Sequence, residues 1–406
     1  CSTVEFGSGG INGYQFTQFD STGMVIRNEG LYGGPQAINI QHICLSLERP
    51  DDSFAFLIAG ASAVRVLNTT RSGSPIWSRK VYYTDPNYDI QYFGAMEPAF
   101  ESTPDGGYLI TGLRQHSPST FPDTIAPMII KLDALGNVLW NKTYGGITHG
   151  WHIISHVDTA GNLLFGFQAD TSGTMASDIY ILTKIDPEGN TLWSKRVEGF
   201  NGFFTGSTLV NGHYFMSAID SSNIYIMEMD TAGLPLWGKR YAMAFPLWHW
   251  GSSIVPTRDH GFVLTTLMPD STGGSDVFFF KVDSSGTTLW QRAFGNYNYE
   301  NLVDLVENGD STFTMLTWTQ LTQNWSIHYY LSKLDPTGLN ECVVSANGVL
   351  SETPMSFSLV DFTLDEFEVP MTSEPLYLTD SLAYDPMMVD TCLFEVGFLD
   401  LGRADL

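Results

Sequence analysis

Short apolar runs separated by turn-forming residues recur along the whole chain. Runs such as Ile179–Lys184 and Val277–Lys281 are rich in β-branched and aromatic residues, which favour strands. No long segment repeats its apolar residues every 3.6 positions, and no run approaches the length of a transmembrane helix. The pattern therefore predicts an all-β protein.

One stretch of this pattern occurs seven times. An apolar run leads to an acidic or polar residue, two turn residues and a glycine, and a tryptophan usually follows four positions after the glycine. Asp at the first position and Gly at the fourth are typical of a type I turn closed by a left-handed glycine, so each copy predicts a β-hairpin. Four copies are complete, Asp133–Trp140, Asp186–Trp193, Asp230–Trp237 and Asp283–Trp290, and three are degenerate, at Asp20 and Gly23, at Thr70, Gly73 and Trp77, and at Asp335 and Gly338.

A second hairpin is predicted between successive copies, for example at Asp105–Gly112 and at Asp259–Leu264. Two hairpins in each period of 44 to 63 residues give four strands, which is one blade of a β-propeller. Six nearly complete units begin near Gln41, Phe93, Trp151, Phe203, Trp250 and Glu300.

In the other repeats, a first hairpin precedes the one that contains the recurring turn. The N-terminal hairpin from Tyr14 to Tyr32 is not preceded by such a hairpin. Strands from the C-terminal segment near Ser356–Thr363 can complete its sheet, and such closure removes exposed strand edges. We therefore expect a seven-bladed β-propeller over residues 1–345, with residues 346–406 supplying the closing strands. Six blades followed by a small appended element is the alternative.

The charge of the chain narrows the range of partners. Its 406 residues include 44 acidic and 19 basic side chains, which gives a net charge of −25. A chain this acidic is repelled by nucleic acid and by anionic membranes, so neither is an expected partner.

The four cysteines suggest an oxidising compartment. Cys342 ends the last hairpin and Cys392 lies in the terminal segment, so a disulfide between them would staple the C-terminus to the repeats. A chain that begins with Cys1 followed by Ser is similar to a mature lipoprotein, in which that cysteine carries lipid. The alternative is that the sequence begins at Cys1 by chance.

The repeat together with two further motifs resembles a known group of proteins. Lys142, Tyr144, Gly145 and Gly146 follow one Trp, and Asp105–Tyr108 reads Asp-Gly-Gly-Tyr. This combination resembles the secreted β-propeller repeat proteins of bacteria that use type IX secretion, most of which have no assigned chemistry. The C-terminal sorting domain usual in that group is not recognisable here. The resemblance implies a secreted or surface-anchored propeller and says little about activity.

Quinone-dependent propeller enzymes repeat a similar signature, but their Asp and Trp are separated by one more residue. Here the two are seven positions apart in all four complete copies. No cofactor is therefore expected.

The repeated tryptophans are best explained as packing between neighbouring blades, because a Trp at the same place in every outer hairpin buries a large ring. The loops that lead into the innermost strands are different, because in a propeller they gather on one face around the central channel. Aromatic rings there suit sugar stacking or a protein partner, although rings that merely plug the channel are equally consistent. The predicted ligand-binding residues are Trp151, Phe203, Trp248, Trp250 and Tyr299.

The sequence offers no catalytic or metal-binding constellation. His152 and His156 would lie about 13 Å apart along a strand, which is too far for one metal ion to bridge. No nucleophile elbow, phosphate loop or paired-cysteine motif occurs, so we name neither catalytic residues nor metal ligands.

Glycosylation is a further expectation that rests on the resemblance. Bacteria of that group attach O-glycans to Ser or Thr after Asp, in a tripeptide that ends in certain apolar residues or Thr. The predicted carriers are Ser21, Thr124, Thr159, Thr231, Ser271, Ser311 and Ser381.

We expect a secreted or cell-surface propeller that binds a surface protein or glycan, with membership of an outer-membrane-associated complex as one form of this function. The alternative is an extracellular polysaccharide-active enzyme with its site at the channel mouth. Paired carboxylates or a metal at that mouth would favour the enzyme.

Overall fold

The computed structural model describes residues 2–3, 13–19, 25–33, 40–60, 63–91, 99–116, 125–145, 149–170, 179–199, 202–269, 274–295, 299–320, 327–346, 349–375 and 378–382. Every regular element in these ranges is a strand, so the all-β fold class is confirmed. No helix among them is long and apolar enough to cross a membrane. In chain order the strands are β1 (Ser2–Thr3), β2 (Gly13–Phe19), β3 (Val25–Gly33), β4 (Ile40–Glu48), β5 (Phe54–Gly60), β6 (Ala63–Thr69), β7 (Pro75–Tyr83), β8 (Tyr88–Gln91), β9 (Ala99–Ser102), β10 (Tyr108–His116), β11 (Ile125–Leu132), β12 (Val138–Gly145), β13 (His149–Val157), β14 (Leu163–Asp170), β15 (Ile179–Ile185), β16 (Thr191–Glu198), β17 (Phe203–Val210), β18 (His213–Ile219), β19 (Asn223–Asp230), β20 (Pro235–Met243), β21 (Trp248–Pro256), β22 (Phe262–Pro269), β23 (Ser275–Val282), β24 (Thr288–Phe294), β25 (Tyr299–Glu307), β26 (Phe313–Gln320), β27 (Ile327–Leu334), β28 (Val344–Ser345), β29 (Leu350–Met355), β30 (Ser358–Asp361), β31 (Asp365–Phe367), β32 (Met371–Pro375) and β33 (Leu378–Leu382).

The strands form antiparallel meanders in sequence order. Five meanders have four strands each, β4–β7, β9–β12, β13–β16, β17–β20 and β21–β24, and β8 pairs with β10 beyond the end of β9. Strands β25–β27 form a three-stranded meander that one parallel bridge, Ser275 to Tyr299, joins to β23. Strands β1–β3 form a further sheet. The predicted unit of two hairpins per repeat is therefore present in five successive sheets.

The chain divides into two compact units. One consists of Cys1–Arg196 with Val360–Val389, and the other of Val197–Leu359 with Asp390–Leu406. Within each unit, apolar side chains from neighbouring sheets form shared clusters. Leu57 and Val66 of one sheet pack with Ile110 and Ile130 of the next, and all four are fully or almost fully buried. The core thus lies between the sheets.

The predicted hairpin turn has the expected geometry. In the turn between β11 and β12, the Gly136 amide donates to the Asp133 carbonyl at 3.1 Å, and Gly136 has a φ of 77°. The Asp133 carboxylate accepts hydrogen bonds from the amides of Leu135 and Asn137. The same hydrogen bond and a positive-φ glycine recur at Gly73, Gly189, Gly233, Gly286 and Gly338.

The turn glycine also receives the tryptophan of the preceding sheet. A Cβ built on Gly136 would lie 2.8 Å from the ring of Trp77, and one on Gly189 would lie 3.2 Å from the ring of Trp140. Trp237 meets Gly286 and Trp290 meets Gly338 in the same way. The predicted packing role of these four tryptophans is confirmed, and the repeat requires glycine both for its φ and for the space that a side chain would fill.

A Lys–Asp ion pair is a second repeated contact. The Lys two positions before the turn Asp reaches back to an Asp in the first hairpin of its own sheet, as in Lys131–Asp105 at 2.9 Å and Lys184–Asp158 at 3.3 Å. The sheet of β17–β20 reverses the polarity, because Glu228 stands at the lysine position and contacts His213. The pair ties the two hairpins of one sheet together at the end where both turns lie. The remaining pairs are Lys281–Asp259 and Lys333–Asp310.

The C-terminal segment adds one more strand to six sheets. We call β28–β33 the strap, and the last meander strands β3, β7, β12, β16, β20 and β24 the edge strands. Along the chain, β28 pairs with β24, β29 with β20, β30 with β16, β31 with β12, β32 with β7 and β33 with β3. The strap therefore visits the sheets in the reverse of their order in the sequence.

The strap corrects the predicted closure. We expected strands near Ser356–Thr363 to share a sheet with the hairpin from Tyr14 to Tyr32, but Ser358–Asp361 pairs with β16. Strand β33, about twenty residues further along the chain, pairs with β3 of that hairpin. The sequence predicts that the N-terminal hairpin needs another strand at its edge. It does not show which segment supplies that strand, because several stretches of the strap have similar acidic and apolar residues.

Replacing Gly136 by Ala should destabilise the protein by about 2–4 kcal/mol. The positive φ contributes about 1–2 kcal/mol and the clash with Trp77 adds a comparable amount. Urea unfolding measures the loss. Gly212→Ala is the matched control, because Gly212 has a φ of 79° but no heavy atom lies within 4 Å of the position that its Cβ would take. Equal losses at both positions would show that the Trp77 contact adds nothing.

Candidate functional site

The predicted ligand-binding residues lie near the starts of the first strands of their sheets. Phe203 and Tyr299 begin β17 and β25, Trp248 and Trp250 lie in β21, and Trp151 lies in β13 of the other unit. Strands β17, β21 and β25 are neighbours in space. Four of the five positions therefore belong to adjacent strands of one unit. The side chains of Trp151, Trp248 and Trp250 lie outside the described residues.

The two predicted side chains that are described are both half-buried. Phe203 packs against the apolar cluster that includes Phe215, Ile254 and Phe262. This ring therefore contributes partly to the core. Tyr299 forms the bridge to Ser275.

The segment before β21 is anchored at both of its ends. The amides of Met243 and Leu247 donate to the carbonyls of Ser222 and Ser221, each at 2.8 Å. Leu247 is buried in the core, and Phe245 packs edge-on against Phe278 with ring centroids 5.7 Å apart. Phe245 and Leu247, which shortly precede Trp248 in the chain, thus hold the backbone that leads into β21.

The loop that receives these hydrogen bonds is itself fixed by Asp220. Its carboxylate accepts hydrogen bonds from the amides of Ser222 and Asn223 and from the hydroxyl of Tyr225. Burial and this carboxylate raise the pKa of Tyr225, so the phenol stays protonated. Trp248 therefore follows a backbone that is held in place on both sides.

Two carboxylates adjoin the bridge between β23 and β25. Asp276 and Glu300 each follow one member of the bridged pair Ser275 and Tyr299, and both are fully buried. Thr319 stands directly opposite Glu300 in the antiparallel pair and is also fully buried. The structure thus places two buried acidic residues beside the bridge that Tyr299 forms. The sequence does not reveal this arrangement, because the two residues lie on strands that are not consecutive in the chain and that only the bridge between β23 and β25 joins.

A half-buried acid with a raised pKa lies in the other unit. Burial raises the pKa of Glu101 on β9 to about 7, although a hydrogen bond from Ser155 on β13 opposes the shift. A carboxylic acid of this pKa can donate a proton near neutral pH. Strand alternation hides this residue in the sequence, since its neighbour Phe100 fills the core on the opposite face.

Of the three histidines at positions 149, 152 and 156, only His156 has a described side chain. His156 is half-buried, and burial lowers its pKa although the nearby Asp158 opposes that effect. The side chains of His149 and His152 lie outside the described residues. Within the described part of the chain, no group of three or more His, Cys, Asp or Glu side chains could hold a metal ion.

The predicted modification sites are only partly described. Thr159 and Thr231 are exposed in hairpin turns, and Ser311 is half-buried with a φ of 62°. Cys342 lies in the turn after β27. Outside the described residues are Cys1, Cys392, Ser21, Thr124, Ser271 and the side chain of Ser381.

No family model and no curated protein matches the chain. Among solved structures, a protein of unknown function from Dyadobacter fermentans is similar with a TM-score of 0.45 and 11% identity, covering 73% of this chain and 96% of that one. A sialidase from Trypanosoma rangeli gives 0.43 and 10% identity, covering 83% of this chain and 58% of the sialidase. A rhamnogalacturonan lyase from Bacillus licheniformis gives 0.37 and 12% identity, covering 74% and 68%. Similarity at this level assigns no chemistry to this chain.

Glu101 should make the protein less stable as pH rises from about 4.5 to about 7. In this window the unfolded chain releases the Glu101 proton while the folded chain keeps it, so the difference grows to at most about 3 kcal/mol. Glu101→Gln should remove this part of the pH dependence and stabilise the protein above pH 7. Urea unfolding at pH 4.5 and pH 8 measures the effect. A gain that is the same at both pH values would contradict the raised pKa.

Proposed function

We propose that the chain is a seven-bladed β-propeller. Seven sheets can serve as blades: the five four-stranded meanders, the three-stranded meander β25–β27, and the sheet of β1–β3 with β33. The contact from a tryptophan to the glycine of the next sheet, which occurs four times within the two units, favours a regular succession of sheets. A propeller is the all-β arrangement in which successive four-stranded sheets repeat around one axis.

We propose that this propeller binds a surface glycan or protein at the starts of its first strands. The observation that carries the proposal is the adjacency of β17, β21 and β25, whose first residues include four of the five predicted positions. The fixed backbone before Trp248 supports it, because a preorganised aromatic residue loses little entropy on binding. The net charge of −25 favours a neutral glycan or a basic protein surface and disfavours nucleic acid.

A second candidate function is polysaccharide cleavage. Asp276 and Glu300 favour it, because they adjoin one bridge between two strands, and two carboxyl groups are the catalytic groups of most glycoside hydrolases. Both side chains are fully buried, however, so a substrate would need the surrounding strand ends to move. We therefore favour the binding function.

The remaining proposals concern the location of the protein. We propose a secreted or outer-cell-surface protein in an oxidising compartment, with a disulfide between Cys342 and Cys392, lipid on Cys1 and O-glycans on the predicted Ser and Thr residues. At this location the protein would be part of an outer-membrane-associated complex. The exposed turn positions of Thr159 and Thr231 support the glycan assignments.

Replacing Trp248 and Trp250 together by Ala should weaken binding at least about tenfold, or about 1.4 kcal/mol. The measurement is the binding of fluorescently labelled protein, at increasing concentration, to immobilised oligosaccharides and outer-membrane proteins that the native chain binds. The melting temperature should change little. Trp140→Ala is the control, because Trp140 packs on Gly189 and its loss should lower stability while leaving the affinity of the folded fraction intact. The reverse pattern would place the two β21 rings in the core.

The native chain should release no reducing sugar from a panel of polysaccharides. Asp276→Asn and Glu300→Gln test the alternative, since an enzyme that uses this pair should lose at least about a hundredfold in rate with either change. Activity in the native chain that both substitutions abolish would establish the enzyme and overturn the binding proposal.

Mass spectrometry of the chain from its native host should detect one peptide linked through Cys342 and Cys392, which separates on reduction. The disulfide should stabilise the fold by about 2–4 kcal/mol, which thermal unfolding with and without reductant measures. The same spectra should show glycan mass on peptides containing Thr159 and Thr231, and lipid mass on Cys1. Alkylation of both thiols without reductant would rule out the disulfide.

A further inference from the structure

The strap and the edge strands carry opposite charges. Residues 344–382 contain seven carboxylates and neither Lys nor Arg. The six edge strands contain nine of the chain's 19 Lys and Arg residues and only two acids. The basic residues are Arg27, Arg79, Lys80, Lys142, Lys195, Arg196, Lys239, Arg240 and Arg292.

These charges meet once in each of four sheets. The ion pairs are Lys80–Glu374 at 3.5 Å, Lys142–Glu366 at 2.5 Å, Lys195–Asp361 at 3.7 Å and Lys239–Glu352 at 3.5 Å. The four lysine side chains are 14–28% exposed, so solvent screens them less than it screens fully exposed pairs.

Two strap carboxylates also connect neighbouring sheets. Glu352 pairs with Lys239 of one sheet and accepts hydrogen bonds from the amide and hydroxyl of Thr288 of the next, each at 2.9 Å. Glu366 pairs with Lys142 and accepts a hydrogen bond from Thr191 in the same manner. The acidic positions of the strap are therefore matched to the spacing of the sheets.

The other contacts of the strap are short. Strand β28 has two residues, β31 three and β30 four, and the longest strand of the strap, β29, has six. Val369 is the buried apolar residue in the part of the strap that covers β7 and β12. A segment attached in this way depends on many weak contacts: short stretches of strand pairing in six sheets, to which ion pairs add in four.

We propose that the edge strands form an acceptor surface for an acidic extended strand, and that the strap occupies this surface within its own chain. The occupant in trans is the strap of a second copy of the protein. Strand addition to a sheet edge gives affinity through the backbone, and the basic side chains select for acidic segments. High salt loosens the strap because it screens the ion pairs, and a loosened strap exposes the edges to the second copy.

Hydrogen exchange of the full native chain at 50 mM and 1 M NaCl tests the hold of the strap. Protection of amides in β29–β32 should fall at least tenfold at high salt, whereas amides of β10, β14, β18 and β22 should keep theirs. A uniform change, or unchanged protection of the strap, would overturn the proposal.

Peptide exchange tests the acceptor surface. The probe is a labelled peptide of residues 344–375, titrated against the full chain carrying Glu352→Lys, Glu366→Lys and Glu374→Lys. This variant should bind the peptide at least tenfold more tightly than the native chain does. Glu188→Lys, Asp365→Lys and Glu368→Lys together are the control, because these exposed residues change the charge equally and lie outside the four ion pairs.

Reversing the edge-strand charges completes the test. Adding Lys80→Glu, Lys142→Glu and Lys239→Glu to the strap variant should restore the ion pairs with opposite polarity, lower peptide binding to the native level and restore amide protection. Peptide binding that does not respond to the edge-strand charges would overturn the proposal. If the strap variant fails to fold, the salt dependence of exchange in the native chain decides.

Discussion

The packing of an edge-strand tryptophan on the turn glycine of the following sheet is the contact on which the repeat depends. The glycine must adopt a positive φ to close its own turn, and it must lack a side chain so that the ring can approach. One residue therefore satisfies a local and a tertiary requirement at once. This is why the two residues recur together, and why the turn glycine of one sheet holds the ring of the preceding sheet at four places in the described chain.

The strap addresses a different constraint, the unpaired backbone at the edges of the sheets. A meander of four strands leaves its last strand open, and open edges invite aggregation. This chain covers five such edges with one segment, and the same segment pairs with a sixth edge strand, β3 of the N-terminal hairpin. The edge strands hold about half of the Lys and Arg residues of a chain whose net charge is −25. An acidic strap therefore also offsets the electrostatic repulsion between these basic side chains.

Buried ionisable groups fall into two classes. The Lys–Asp pairs recur from sheet to sheet, so they belong to the repeat and join its two hairpins. Glu101, Asp276 and Glu300 have no counterpart in the repeat. Asp276 and Glu300 are fully buried, and Glu101 is half-buried with a raised pKa. A residue that only supports the fold should recur in each repeat. Residues that do not recur are therefore candidates for function. They lie on or beside first strands, as do the aromatic residues that we propose bind the ligand.

The sequence by itself determined the strands, the hairpin turns and the packing role of the tryptophans, because all three follow from local periodicity and turn chemistry at positions such as Asp133 and Gly136. It also located the aromatic positions at the starts of the first strands. Tertiary structure was needed to show that β33 rather than Ser358–Asp361 joins the N-terminal hairpin, and that Phe245 and Leu247 anchor the backbone before Trp248. It also showed that Asp276 and Glu300 adjoin the same bridge between β23 and β25. These features join residues far apart in the chain, and no local pattern of apolar and polar residues encodes which distant strand becomes a neighbour.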